Sequence, residues 1–259
     1  MKNYSLGFIG GGRITTVILK ALQNKNVDLK SVEVHETNES IYEKLHKEFY
    51  DIHIGNLNSV TKKEIVLIAL HPPVISETLK KIADNVSIDS VVISLAPKIT
   101  INNISTILKK TRKIIRLIPN ATSYINEGYN PVCFSDKFSS EEKTEILTWL
   151  SMLGKTFEVT EDKLEAYAIV SAMLPTYFWF QWQKLFEIGK EIGLSDVESR
   201  EAVCFTLNSA VNILLRSGLK SGDVMDLIPV KPIGEYEDKI TQIYEDKLIA
   251  LYHKIMPDK

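Results

Sequence analysis

The chain is poor in cysteine: Cys133 and Cys204 are the only two in 259 residues, and both lie in apolar segments far apart in sequence. That argues against a disulfide framework and against a cysteine-based metal site, and it fits a reducing cytoplasm. Charge of one sign is also scarce. Thirty-one Lys+Arg against 33 Asp+Glu leave a formal net charge of -2, which gives no electrostatic case for binding nucleic acid or an acidic membrane surface. No uncharged apolar run reaches the length of about 20 residues that spans a bilayer, and the glycine-rich start is unlike a secretory signal. A soluble protein is therefore expected. His35, His46, His53 and His253 share no metal-ligand spacing, so no metal is expected. Neither a nucleophile elbow nor a phosphate-binding loop lysine occurs, which disfavours hydrolase and NTPase readings.

What the chain has instead is a glycine bend near its start. Leu6-Gly7-Phe8-Ile9-Gly10-Gly11-Gly12-Arg13-Ile14-Thr15 reads as a short apolar strand, a turn and the opening of a helix. Such a turn gathers backbone N–H groups and the positive end of a helix dipole at one point, where a dinucleotide pyrophosphate can sit without a cationic side chain. Gly10 would allow the tight turn and Gly12 would let phosphates approach the main chain. Thr15 stands where the usual pattern has its third glycine. The alternative is a turn that uses glycine for positive φ with no ligand at all.

The first half alternates strand and helix. Strands are expected at 4–9, 31–36, 64–70, 90–95, 113–118, 132–135 and 157–159, with helices over 12–23, 39–48, 74–83, 101–110 and 141–153. Asn38 can cap one helix, and Ser139 with Glu142 has capping-box spacing at another. Strands this continuously apolar are usually covered on both faces, as in a parallel sheet with helices above and below. From about Leu164 the pattern becomes helical only, which sets the expected domain boundary near Thr160: 1–160 binds nucleotide, and 161–259 is helical. Ala166–Phe180 holds fifteen residues without a charge, apolar on every side of a helix that Pro175 should kink. Such a helix needs cover all round, either from a monomer core or, as favoured here, from a second subunit. A further helix begins at the capping box Ser195–Glu198, and the last covers 235–255.

With both halves placed, the sequence resembles the pyrroline-5-carboxylate reductase family over nearly its whole length. The likeness is carried by Gly7-Phe8-Ile9-Gly10-Gly11-Gly12, by Ala69-Leu70-His71-Pro72 in place of Ala-Val-Lys-Pro, and by Arg116-Leu117-Ile118-Pro119-Asn120, close to Arg-Val-Met-Pro-Asn. Glu127-Gly128 follows. Val170-Ser171-Ala172-Met173-Leu174-Pro175-Thr176-Tyr177 stands for Leu-Ser-Gly-Ser-Gly-Pro-Ala-Tyr, and Pro232-Ile233-Gly234-Glu235-Tyr236 for Pro-Gly-Gly-Thr-Thr. The resemblance implies an α/β fold with an N-terminal Rossmann domain, a doubly wound and mostly parallel sheet. It also implies an all-α C-terminal domain that dimerises by interleaving, and hydride transfer from NAD(P)H to a cyclic imine.

On this likeness a nucleotide would meet Gly10, Gly11, Gly12, Arg13, Ile14, Glu36, Thr37, Leu70, Pro72 and Ala96. A small-molecule imine would meet Asn120, Met173, Leu174, Pro175, Thr176 and Gly234, with His71, Glu235 and Tyr236 as candidate catalytic groups. The two C-terminal motifs have changed character. Two hydroxyls are gone, and bulk and an acid are added, so weak or absent activity on pyrroline-5-carboxylate is expected. Glu36, at the end of the second strand, would accept hydrogen bonds from both ribose hydroxyls and repel a 2′-phosphate, which favours NAD(H) over NADP(H). Thr37, Asn38 and Arg13 could still hold a phosphate. Each residue has a plainer alternative: Glu36 as a solvated strand-end acid, His71 as a loop histidine, Asn120 as a turn former. For the whole chain the alternative is a reductase-derived nucleotide-binding or regulatory protein without turnover.

Overall fold

The computed structural model describes residues 2–257, apart from the side chains of Pro72 and Pro73. The strands are β1 (Leu6–Ile9), β2 (Val32–His35), β3 (His53–Ile54), β4 (Ile65–Ile68), β5 (Val91–Ser94), β6 (Ile114–Leu117), β7 (Gly128–Phe134) and β8 (Gly154–Glu158), with β4, β5 and β6 built mostly from β-branched residues and leucine. They make one sheet in the order β3-β2-β1-β4-β5-β6-β7-β8. Every pair is parallel except β6 with β7. The chain runs outward from β1 to β3, then returns across β1 to continue from β4. Ligands in doubly wound sheets lie at such a reversal, beyond the carboxyl ends of the strands on either side of it.

The first six helices are α1 (Arg13–Asn24), α2 (Glu39–Glu48), α3 (Leu57–Val60), α4 (Pro72–Ile82), α5 (Ile101–Leu108) and α6 (Ser140–Leu150). Strand residues alternate between two cores. Leu6, Phe8, Leu67, Ile93 and Ile115 pack with Ile18 and Leu22 of α1, Leu45 of α2 and Trp149 of α6. Ile9, Ile68, Val92 and Ile114 pack with Val60 of α3, Ile75 and Leu79 of α4 and Ile104 of α5 on the other face. Because β1 and β4 are buried on both sides, truncating Phe8 to alanine would cost about 3–5 kcal/mol. The predicted caps form as expected. Asn38 accepts from Ser40 and Ile41 N–H groups, and Ser139 and Glu142 close a capping box.

Several boundaries differ from expectation. β7 starts at Gly128 and β8 at Gly154, and the two-residue β3 and one-turn α3 carry too few residues for any periodicity to reveal them. The expected helix over 166–180 is instead α7 (Leu164–Tyr167), a π-helical turn (Ala168–Ala172), a break at Met173, and α8 (Leu174–Glu191). Pro175 therefore lies in the first turn of α8, where its missing N–H leaves no bond unmade, and the helical run is interrupted just before it, at Met173.

The remaining helices are α9 (Asp196–Arg216), α10 (Ser221–Met225) and α11 (Glu237–Ile255). The described residues cluster into two compact units, one up to Met173 together with those from Leu251, the other Leu174–Ala250. In the second unit Phe178 stacks on Trp182 and on Tyr244, and the Ser199 hydroxyl donates to the Phe186 carbonyl oxygen at 2.9 Å. Little else there is covered: Phe180 is 68% exposed, Phe205 73% and Leu215 74%. The fold is thus an α/β Rossmann-type sheet, doubly wound and mostly parallel, followed by an all-α C-terminal region.

Candidate active site

Gly10 follows β1 at φ +104°, and its N–H donates to the His35 carbonyl oxygen at 2.8 Å. A Cβ here would lie 2.5 Å from the Ala69 carbonyl oxygen, so side chain and turn are incompatible. Gly12 caps α1 with no side-chain hydrogen bond, and the first turn of that helix holds no acid. Its N-terminal N–H groups thus face outward with the positive end of the helix dipole. A Cβ on Gly12 would meet nothing within 4 Å. A bare helix start, open space at Gly12 and a close main-chain turn together fit a pyrophosphate.

Thr15, in the place of the third glycine, is fully buried, and its hydroxyl donates to the Gly10 carbonyl oxygen at 2.7 Å. The departure from the glycine pattern is a clasp across the turn. Glu36 supplies a second clasp: Oε2 accepts the Gly11 N–H and Oε1 the Asn38 N–H, each at 2.8 Å. Its carboxylate is therefore fixed against the glycine turn, joining the loops after β1 and β2. Arg13 and Thr37 are exposed nearby in sequence, and Ile14 is half-buried against the core.

On the far side of the reversal, Ala69-Leu70-His71 follow β4. Leu70 Cδ2 lies 3.1 Å from where a Gly10 Cβ would sit, so this loop borders the glycine turn. His71 is exposed at the N-cap of α4 and makes no capping bond with its side chain. Pro72 opens α4, and its side chain lies outside the described residues. Ala96, just past β5, is buried in the core beneath the loop.

Asn120 follows β6 and is 5% exposed. Its Oδ1 accepts from the Thr122 N–H and hydroxyl, and its Nδ2 lies 3.2 Å from both the carbonyl and hydroxyl oxygens of Ser171. The side chain is committed to the turn it caps and to the π-helical turn ahead of Met173. Leu174, Pro175 and Thr176 begin α8 in the second unit, whereas Gly234-Glu235-Tyr236 form a 3-10 turn before α11 with Tyr236 half-exposed. Cys133 takes no part: burial pushes its thiol up to about 11, far from a nucleophilic thiolate at neutral pH.

One polar cluster is absent from the sequence expectations. Arg116, within the apolar run of β6, is fully buried and pairs with Glu161 (3.1 Å) and Glu165. The signal for it was present, since a cation inside a strand buried on both faces requires an acid partner.

Residues 5–98 match the family model described as NADP oxidoreductase, coenzyme F420-dependent. The chain is 22% identical to the pyrroline-5-carboxylate reductase of Corynebacterium melassecola, covering 96% of this chain and 94% of that one. It is 22% identical to the Escherichia coli K12 enzyme of that name over 86% of this chain and 84% of that one. Among solved structures, Plasmodium falciparum pyrroline carboxylate reductase with NADP bound superposes with a TM-score of 0.83 at 19% identity, covering 98% of this chain and 97% of that one. The Coxiella burnetii pyrroline-5-carboxylate reductase gives 0.70 at 21%, with 98% and 95% covered. End-to-end likeness in sequence and in fold, joined to the glycine turn at the sheet's reversal, makes this chain similar to the pyrroline-5-carboxylate reductases.

Proposed function

We propose that the chain reduces the C=N bond of a cyclic imine with a nicotinamide nucleotide, on a substrate other than pyrroline-5-carboxylate. The observation that carries the proposal is the helix start at Gly12, bare of side-chain cap and acid, beside a Gly10 that admits no side chain. The main-chain N–H groups of Gly12 and the first turn of α1 would hold the pyrophosphate, with Gly11, whose own N–H is taken by Glu36, and Arg13, Ile14, Leu70, Pro72 and Ala96 around the nucleotide. The nucleotide supplies the hydride. The chain's residues supply orientation, which brings the two reacting carbons to near contact and accounts for most of the rate in such a reaction. His71, Glu235 and Tyr236 are the candidates for delivering a proton to the imine nitrogen.

Glu36 supports NAD(H) over NADP(H). Its carboxylate is tethered by two N–H groups and cannot swing away to admit a 2′-phosphate without breaking both bonds. For the substrate, Met173, Leu174, Pro175, Thr176 and Gly234 form the binding motifs, and Asn120 acts by holding Ser171. Replacement of small hydroxyl residues by Met173 and Glu235, and of a glycine by Leu174, favours a less anionic imine than the carboxylate-bearing one. The helical part, 161–259, is the dimerisation and substrate domain after a 1–160 nucleotide domain; the exposed Phe180, Phe205 and Leu215 support a second copy as its cover. Among the described residues no helix is long and apolar enough to cross a membrane. We place the protein in the cytoplasm as a homodimer, with no nucleic-acid partner.

NADH and NADPH oxidation across a panel of cyclic imines and keto acids, pyrroline-5-carboxylate included, tests the proposal. Turnover on an imine other than pyrroline-5-carboxylate, faster with NADH, is expected. Nucleotide binding without turnover on any member would favour the second reading, a reductase-derived binding or regulatory protein, which the altered motifs keep in view.

A further inference from the structure

Arg116 is an expensive residue for its position. Its neighbours Ile114, Ile115, Leu117 and Ile118 are buried, so apolar burial already anchors β6. A guanidinium taken out of water adds a desolvation penalty, and apolar replacements of such buried pairs are often neutral or stabilising. The cluster is not even fully bonded. Arg116 Nε and the hydroxyl of Ser94, its register partner on β5, are buried without hydrogen-bond partners.

What the cation secures is geometry. Glu165, which it binds, accepts the Lys98 N–H at 3.0 Å, and Glu161 accepts the Ile101 N–H at 2.7 Å. These two amides bracket the loop after β5, whose path forces Lys98 to φ +77°, a conformation that lysine rarely adopts. Glu165 also belongs to α7, which runs directly into the π-helical turn 168–172. That turn is tied at Ser171 to Asn120, four residues past Arg116 on the same strand and loop. π-helical turns persist at functional sites more often than elsewhere.

We propose that Arg116, with Glu161 and Glu165, is a positioning group that fixes the loop after β5 and the π-helical turn 168–172 in one relation, joining the nucleotide side of the site to the substrate motif. None of the three touches a reacting atom. The proposal rests on the reductase reading for its effect on turnover, and on geometry alone for the coupling of the two segments.

The test is the double variant Arg116→Met/Glu165→Met in the full chain, beside Glu165→Gln, which keeps an oxygen for the Lys98 N–H. Melting temperature, nucleotide Kd, KM for an imine that the parent reduces, and amide hydrogen exchange are read together. The double variant, which leaves the Lys98 N–H without its acceptor, should melt no more than about 5 °C below the parent, yet show Kd and KM raised about tenfold or more, as expected when a bound group is displaced by an ångström or so. Exchange should rise at 96–101 and 168–172 and nowhere in β1 or β2, with Glu165→Gln close to the parent throughout. A double variant that keeps its melting temperature and matches the parent in Kd, KM and exchange overturns the proposal. So does a loss of function that merely tracks melting temperature across both variants. If the parent reduces no imine, it is the reductase reading that fails, and the exchange pattern still decides the coupling.

Discussion

The Thr15 hydroxyl and the Gly10 carbonyl oxygen are 2.7 Å apart, and both residues are buried. One residue of α1 thereby holds the bend that the main chain makes on leaving β1. Thr15→Val keeps the shape and removes the donor, so it should lose about 1–3 kcal/mol in denaturant unfolding. Thr15→Gly restores the usual third glycine and should be no better, because glycine inside a helix costs about 1 kcal/mol relative to alanine. Unchanged unfolding in Thr15→Val would show that the clasp contributes nothing.

Glu36 meets Gly11 and Asn38 through separate oxygens. Glu36→Gln retains one acceptor and removes the charge, so NADPH affinity relative to NADH affinity should rise by about tenfold, the scale of one charge-assisted bond. Titration of both nucleotides against parent and variant measures it, and an unmoved ratio removes Glu36 from cofactor selection.

Much of this site is local enough to be legible in sequence. The strand–glycine–helix order, the Asn38 cap and the capping boxes at Ser139 and Ser195 depend on neighbours within a few positions, and they stand where the residues put them. The unread parts depend on distance. Thr15 looks like a damaged motif until its hydroxyl is seen to reach back five residues, and no local pattern shows that the Asn120 amide meets Ser171, 51 residues on. Nothing local marks Glu161 and Glu165 as the partners of Arg116, 45 and 49 residues away. The π-helical turn is equally hidden, since its apolar residues satisfy an α-helical pattern just as well.

Acid should loosen α6 through Glu142. Its hydrogen bond with Lys113, then that with the Ser139 N–H, hold its carboxyl below the ordinary value of 4.5. A carboxyl lowered in the folded state contributes stability above its unfolded pKa and loses it as pH falls through the folded one. Melting temperature should therefore fall below about pH 4, and Glu142→Gln should flatten that limb. Parallel acid limbs in parent and variant would contradict the assignment.

Phe205 lies on α9 with 73% of its surface exposed. On a monomer, Phe205→Asp should change neither mass nor melting. If a second copy covers this face, the parent sediments as a dimer and the variant as a monomer of lower melting temperature, because a buried, unpaired carboxylate opposes association. Sedimentation at equilibrium distinguishes the two.

The most direct test sets Gly12 against its own fold. An alanine Cβ at this extended position meets nothing within 4 Å, so Gly12→Ala should melt at or slightly above the parent temperature. The same methyl group would stand in the space where a pyrophosphate lies against the start of α1, so NADH affinity, read by nicotinamide fluorescence, should drop about tenfold or more. A parent that binds no NADH or NADPH, or a Gly12→Ala variant that binds them as the parent does, would contradict the account at its root.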